Sequence, residues 1–252
     1  MSDVFSLSGQ LCLVTGGGTG IGRAIAESFI AAGARVVITG RRQELLRSVA
    51  EELGPQIIPL VQDLSRLETV PGFVREVEDE LGPISTLVNN AGVHQKKAAI
   101  EITDEEYDSV LQVNTKAVFA MSREVARGMT ARGGGSIQVI SSASAVMGIP
   151  LVASYTTSKA AVTGLVRQLS VEWGPFGVRV NAIIPGFIAT DMSRNALEKD
   201  PSRKRKVLGR TPLGRLGEPR EIGNVSTFLA SPAASFVTGI AMEVDGGATI
   251  GF

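Results

Sequence analysis

The chain carries one cysteine, Cys12, and one histidine, His94, in 252 residues. A lone cysteine excludes any disulfide within the chain. Its place in the apolar run Leu11-Cys12-Leu13-Val14 marks a buried strand thiol rather than a nucleophile. One histidine and one cysteine, without clustered carboxylates, supply no ligand spacing for a metal, so no metal centre is expected. A charge bias is also missing: 25 basic and 25 acidic residues balance, and no global field would recruit nucleic acid or an anionic membrane. No apolar run approaches the ~20 residues of a membrane span, and the first ten residues hold Asp3 but no basic cluster. A cytoplasmic protein that binds its partners at a local site is therefore expected.

What is present describes a globular chain. Hydrophobic residues make up 44%, charged residues 20%, and 29 glycines are spread along the length, which is compatible with a sizeable core. An α/β chain of this size often folds as one unit, so residues 1–252 are read as a single domain. Short apolar or β-branched runs recur at Leu11 to Val14, Arg35 to Thr39, Gln56 to Val61, Thr86 to Asn89, Ser136 to Ile140, Arg179 to Ile184 and Ala241 to Val244. Helical stretches such as Ile21 to Ala32 separate them. Continuous apolar strands without polar alternation suit a parallel sheet covered on both faces, and the class is doubly wound α/β. Gly33, Gly54-Pro55 and Gly82-Pro83 are expected to end helices by offering left-handed caps or by removing a donor. Gly186 to Gly217 shows no clear strand and holds the basic run Arg203-Lys204-Arg205-Lys206, and an excursion of that length in a compact α/β fold reads as a lid over a site.

Three constellations carry possible chemistry. The first strand runs into Thr15-Gly16-Gly17-Gly18-Thr19-Gly20-Ile21-Gly22, where a helix start would aim backbone N–H groups and its positive dipole end at a pyrophosphate. Alone, the same glycines would also serve a merely tight strand-to-helix turn. The second strand ends at Thr39-Gly40-Arg41-Arg42, where a carboxylate would grip the ribose 2′-hydroxyl of NAD; arginine there suits a 2′-phosphate, or is simply solvated at a helix start. Tyr155 and Lys159 stand four apart and share a face if helical. A nearby ammonium would lower a phenol's pKa from ~10 toward the working range of an acid/base, although such a pair in isolation is more often structural. Ser142, just past the fifth run, would hold a carbonyl oxygen at the carboxyl ends of the strands, with Ser141 and Ser144 as rivals.

Taken together, Thr15-Gly16-x-x-x-Gly20-Ile21-Gly22, Asn89-Asn90-Ala91-Gly92, Asn114, Ser142, Tyr155-x-x-x-Lys159 and Pro185-Gly186 resemble the short-chain dehydrogenase/reductase family in order and spacing, through to Val244-Asp245-Gly246-Gly247. The resemblance implies a Rossmann-type, seven-stranded parallel sheet of order 3-2-1-4-5-6-7 with helices on both faces. It implies Tyr155 as general acid/base, Lys159 as the group that holds the nicotinamide ribose and depresses the tyrosine's pKa, and Ser142 as the group that polarises the substrate oxygen. Asn114, in the long helix after Asp104, would anchor a water that relays protons from Lys159. For the dinucleotide it implies Gly16, Thr19, Gly20, Ile21 and Gly22 at the pyrophosphate, and Asp63 and Leu64 against the adenine. Asn90, Ala91 and Gly92 would lie by the adenosine ribose, and the turn Pro185-Gly186-Phe187-Ile188 with Thr190 around the nicotinamide. Many NADP-using relatives carry a basic residue where this chain has Thr19, so Arg41, with Arg42, becomes the main phosphate anchor and NADP(H) is expected over NAD(H).

The expected reaction interconverts a ketone and a secondary alcohol. Asn90 to Lys97 and Arg210 to Arg215 look most like the gluconate 5-dehydrogenase branch, which implies a sugar-acid substrate met by Lys96 or Lys97 at its carboxylate, while His94 either hydrogen-bonds the substrate or is a loop residue at the pocket rim. A 3-oxoacyl-(acyl-carrier-protein) reductase shares every motif, and Arg203 to Lys206 would then dock an acidic carrier. A nucleotide-binding protein that has lost catalysis is the reading from another class. Family resemblance also implies a homotetramer of dihedral symmetry.

Overall fold

A computed structural model describes residues 4–251. Seven strands, β1 (Leu11–Thr15), β2 (Arg35–Gly40), β3 (Ile57–Val61), β4 (Ile84–Asn89), β5 (Gly135–Ile140), β6 (Val178–Pro185) and β7 (Ala241–Val244), pair in parallel in the order 3-2-1-4-5-6-7. Each apolar run of the sequence became a strand, displaced by at most two residues at its ends. The helices α1 (Gly20–Ala31), α2 (Gln43–Leu53), α3 (Val70–Leu81), α4 (Asp104–Leu111), α5 (Ala117–Arg132), α6 (Ala153–Trp173), α7 (Asp191–Glu198), α8 (Pro201–Arg210) and α9 (Pro219–Ala230) connect and cover the strands.

Successive residues of a strand point to opposite faces, so the sheet feeds two cores. Leu13, Val37, Leu87 and Ile137 pack with Val74 of α3, Met121 of α5 and Val166 of α6. Their neighbours Cys12, Val14, Ile38 and Val88 pack on the other face with Ile25 and Phe29 of α1, Leu46 of α2 and Ile222 of α9. Both faces are dry, which is why these strands read as unbroken apolar runs. Burial pushes the Cys12 thiol up to about 12, in keeping with an inert core side chain.

Helix α1 crosses α9 closely because residue 223 is glycine. A Cβ there would overlap Ser28 Oγ and lie 2.7 Å from the Ala24 carbonyl oxygen. Gly223→Ala is expected to destabilise the protein by about 1–3 kcal/mol through overpacking, read as a lower thermal midpoint. An unchanged midpoint would mean that the crossing has slack.

Three local features refine the sequence reading. Gly54 and Gly82 have φ of +91° and +100° but ψ of −174° and −179°, so they end their helices in an extended, glycine-only conformation rather than a left-handed one. The helical stretch after Asp104 is not one regular helix: a π-turn at Gln112–Lys116 separates α4 from α5 and contains Asn114. The excursion from 186 to 217 holds α7 and α8, and its base is closed by a parallel bridge between Ile188 and Gly217.

Candidate active site

The turn between β1 and α1 is anchored from two sides. Gly16 and Gly17 N–H donate to the Thr39 carbonyl at 2.7 and 3.3 Å, tying the turn to β2. Asn90 Nδ2 donates to the carbonyls of Thr15 and Gly16 at 2.9 and 3.2 Å, tying it to the end of β4. Thr15 Oγ1 accepts from the Asn90 and Ala91 N–H groups at 3.0 Å each. Gly22 lies where this knot is tightest, and a Cβ on it would overlap the Gly16 carbonyl oxygen and Asn90 Nδ2. Both amide donors of Asn90 are thus engaged in holding the glycine turn. Thr19 precedes α1 in an extended conformation, makes no side-chain cap, and no acidic residue follows in the first turn. The opening N–H groups of α1 are left for an anion.

In front of that helix start lies a cavity of about 590 Å³. Gly16, Thr19, Gly20, Ile21 and Gly22 line one end, Arg41, Arg42, Asp63 and Leu64 the other, and Asn90, Ala91, Gly92 and Thr190 the side. Asp63 is held below the usual carboxylate range by the Ser65 N–H and hydroxyl, then by the charges of Arg41 and Arg66. Thr39, also in the lining, holds the one buried side-chain polar atom without a hydrogen-bond partner among the described residues. An uncapped helix start, close-approach glycines, two arginines and an orphaned hydroxyl fit a dinucleotide phosphate and its adenosine.

The second cluster grows from the end of β5. Ser141 points into the protein, donating to the Lys159 carbonyl at 3.0 Å and bonding Thr163 Oγ1 at 3.0 Å, so it anchors α6. Ser144 is buried and its N–H and hydroxyl donate to Ser142 Oγ at 3.2 and 3.1 Å. Ser142 alone of the three shares a side-chain hydrogen bond with Tyr155. One helical turn on, Lys159 is 5% exposed, lies 5.7 Å from the Tyr155 ring centroid and donates to the Ile140 carbonyl at 2.7 Å. Burial lowers its pKa from 10.5 to about 8.

Tyr155 itself corrects the expectation of a depressed phenol. Burial raises its pKa, and the hydrogen bond from Ser142 offsets this only in part. Lys159 Nζ lies 5.7 Å from the ring centroid and donates to the Ile140 carbonyl. Asn114 is fully buried; its Oδ1 accepts from Val93 N–H at 2.8 Å, and its Nδ2 donates to the Val93 carbonyl at 2.9 Å and to Ser158 Oγ at 3.0 Å. The amide therefore clamps the chain after β4 against α6. Gly92 threads between: a Cβ there would stand 3.1 Å from Asn114 Oδ1 and 3.6 Å from Lys159 Nζ.

Residues 16–249 match the family described as enoyl-(acyl carrier protein) reductase. Galactitol 2-dehydrogenase (L-tagatose-forming) of Cereibacter sphaeroides is 42% identical over 250 residues, 98% of each chain. The chain belongs to the short-chain dehydrogenase/reductase family. As a family member it is an oxidoreductase acting on CH–OH groups with NAD or NADP. The 3-oxoacyl-(acyl-carrier-protein) reductase of Vibrio harveyi is 36% identical over 242 residues, 96% of this chain and 98% of that one. A gluconate 5-dehydrogenase from Burkholderia cenocepacia, solved in complex with NADP and tartrate, superposes with a TM-score of 0.94 at 34% identity over 99% of both chains.

In this dehydrogenase the turn after β6 is built mainly by its backbone. Gly186 N–H donates to the Val244 carbonyl at 3.1 Å, and a Cβ on Gly186 would come 2.6 Å from Asp245 Cα. Pro185 ends β6 and Ile188 is buried in the bridge to Gly217, so of this segment only Thr190 reaches the cavity. Thr190 faces Gly20 across it and caps α7 by accepting from Ser193 N–H at 3.3 Å. On the substrate side, the His94 ring lies 4.8 Å from that of Tyr155. Partial burial, then the charges of Arg203 and Lys96, push its pKa down, which leaves it neutral at pH 7. Lys97 is spent on Glu106, with Nζ at 2.9 and 2.8 Å from the two carboxylate oxygens, whereas Lys96 is exposed. Sequence reasoning missed Leu45, Leu46, Gln62, Ser65 and Val113 in the cavity wall. Ordinary core and turn spacing explains each of them, so no local signal marked them. Among the described residues no group of three potential metal ligands forms and no helix is long and apolar enough to cross a membrane.

Proposed function

We propose that this enzyme interconverts a ketone and a secondary alcohol on a polyhydroxylated acid, with NADP(H) preferred over NAD(H). The observation that carries the reaction is the convergence of Ser142, Tyr155 and Lys159 at the end of β5. Gly16 to Gly22 would hold the pyrophosphate, Asp63 and Leu64 the adenine, and Lys159 with Thr190 the nicotinamide side. When bound, the nicotinamide supplies or accepts the hydride. In reduction the Tyr155 hydroxyl gives its proton to the oxygen of the former carbonyl while the Ser142 hydroxyl hydrogen-bonds that oxygen; oxidation reverses the proton's path. Asn114 acts as a positioning residue for the segment that passes Lys159, and we assign it the proton-relaying water. A dihedral tetramer is part of the proposal, since Phe119 of α5 and Val171 of α6 leave apolar surface exposed.

Support for NADP comes from Arg41 at the end of β2, where a carboxylate would favour NAD. Arg41→Ala is expected to weaken NADPH binding about 10- to 100-fold, as befits loss of a charge-assisted hydrogen bond, and NADH binding less than about threefold. Fluorescence titration reads both constants, and equal losses for the two would remove the basis for the preference. Support for an acid comes from Lys96, which forms no ion pair within 4.0 Å among the described residues, and from the gluconate 5-dehydrogenase likeness. The likeness to an acyl-carrier-protein reductase favours a second reading, in which exposed Lys204, Arg205 and Lys206 dock the carrier. Offering 5-ketogluconate and an acetoacetyl thioester with NADPH separates the two. Turnover of the thioester alone would overturn the proposal.

A further inference from the structure

Tyr155 is the third residue of α6, and the opening turn of a helix is held only by what caps it. Val152 precedes α6 without a side-chain cap, and no acidic residue follows in the first turn. By contrast, α4 begins with a full capping box between Thr103 and Glu106. The start of the helix that carries the phenol is therefore not fixed by its own sequence.

Its hold comes from the segment after β4. The Ser154 hydroxyl, fully buried, donates to Gln95 Oε1 at 2.7 Å. The Lys97 N–H donates to the Leu151 carbonyl at 2.8 Å, and the His94 ring lies 4.8 Å from that of Tyr155. Leu151 has a φ of +70°, the one positive value outside glycine among the described residues. Such a conformation persists only where its surroundings impose it. Leu151 is 45% exposed, so burial of its side chain does little to impose it, and the bond from Lys97 falls on this residue.

The segment is itself anchored on both sides of Gln95. Asn114 grips Val93 by its N–H and its carbonyl at 2.8 and 2.9 Å, and Lys97 Nζ bonds both carboxylate oxygens of Glu106. Glutamine suits the place between them. Its amide oxygen can accept from the Ser154 hydroxyl, whereas a lysine or arginine, with donors only, could not. That chemistry sets Gln95 apart from Lys96 and Lys97 beside it.

We propose that Gln95 is a positioning residue for the reaction: by accepting from Ser154 it fixes the first turn of α6 and holds the Tyr155 hydroxyl in register with Ser142 and the substrate oxygen. This rests on Tyr155 as the acid/base. Register matters because a reacting group displaced by about 1 Å can cost on the order of 10²-fold in rate.

The test compares wild type, Gln95→Met, Ser154→Ala and the double variant, using NADPH with 5-ketogluconate or an acetoacetyl thioester, whichever wild type reduces. Methionine keeps the length of glutamine and lacks the amide oxygen. Each single variant is expected to lower kcat about 10- to 100-fold, with KM and NADPH affinity within about threefold of wild type. Tm should fall by no more than about 4 °C, as befits one lost hydrogen bond. The solvent deuterium isotope effect on kcat should rise, because a misplaced hydroxyl slows the transfer of its proton. The double variant should lose no more than the worse single one, since both substitutions remove the same bond. Wild-type kcat in either single variant, or losses that multiply in the double, overturns the role of Gln95. So does a fall in kcat without the isotope effect or matched by a loss of NADPH affinity, which would mark a loosened site instead of a misplaced hydroxyl. Wild-type turnover in Tyr155→Phe overturns the acid/base assignment itself, so the two failures are told apart.

Discussion

Replacing Tyr155 by phenylalanine is expected to lower kcat/KM for ketone reduction about 10³-fold while leaving NADPH affinity within about threefold of wild type. The substitution keeps the ring that lies 4.8 Å from His94 and removes only the hydroxyl bonded to Ser142. Of its two neighbours, His94 is held neutral and Lys159 donates to the Ile140 carbonyl. The raised phenol pKa adds a second, directional expectation. A protonated Tyr155 is ready to donate, so reduction needs no prior ionisation. Alcohol oxidation needs the phenolate, and because burial holds this phenol above its ordinary value, the rate should climb from about pH 7 and still be rising at about pH 10. Single-turnover rates with NADPH and with NADP, measured across that range, check both parts. If the phenylalanine variant kept the climb, the ionising group would be another residue; if it lost NADPH affinity in step with activity, Tyr155 would be serving the cofactor rather than the proton.

The fold was legible because its strands are covered on both faces. That condition writes continuous apolar runs such as Arg35 to Thr39 into the sequence, and the glycine turns between them are equally local. The site was legible where its geometry is local too. Tyr155 and Lys159 meet because a helix repeats every 3.6 residues, and Gly16 to Gly22 stand where strand becomes helix. Decisions made by distant partners left no such mark. Nothing in Gln112 to Lys116 signals a π-turn, whose Asn114 bonds Val93 and Ser158, 21 and 44 residues away. Ser141, Ser142 and Ser144 look alike until Lys159 and Thr163 claim the first, and Lys96 and Lys97 look alike until Glu106 claims the second. The direction of the phenol's pKa is of the same kind, since burial is a property of the whole fold and outweighs the neighbour that spacing revealed.

Lys159→Met is expected to cost about 10²- to 10³-fold in turnover and yet to stabilise the ligand-free protein at pH 7, which makes this lysine a charge kept for function against stability. Lys159 is 5% exposed, faces no carboxylate within 4.0 Å among the described residues, and its ammonium donates to the Ile140 carbonyl. The fall from 10.5 to about 8 corresponds to roughly 3 kcal/mol at ~1.4 kcal/mol per pH unit. Methionine removes that cost but leaves the Ile140 carbonyl without its donor, at about 1 kcal/mol. A net gain of about 2 kcal/mol, or some 4–8 °C in Tm for a chain of this size, should remain. The pH dependence has a definite sign. Below pH 8 the lysine is protonated in both folded and unfolded wild type, and the folded state bears the whole cost. Between 8 and 10.5 the folded amine loses its proton first, so wild type gains on the variant as pH rises. Above 10.5 the amine is neutral in both states, and the variant should be the less stable by about the lost hydrogen bond. Denaturant titrations of the two proteins at pH 7 and near pH 10.5 read this difference directly. A stability gap that does not change sign between those conditions would show that the buried amine is not the source of the strain.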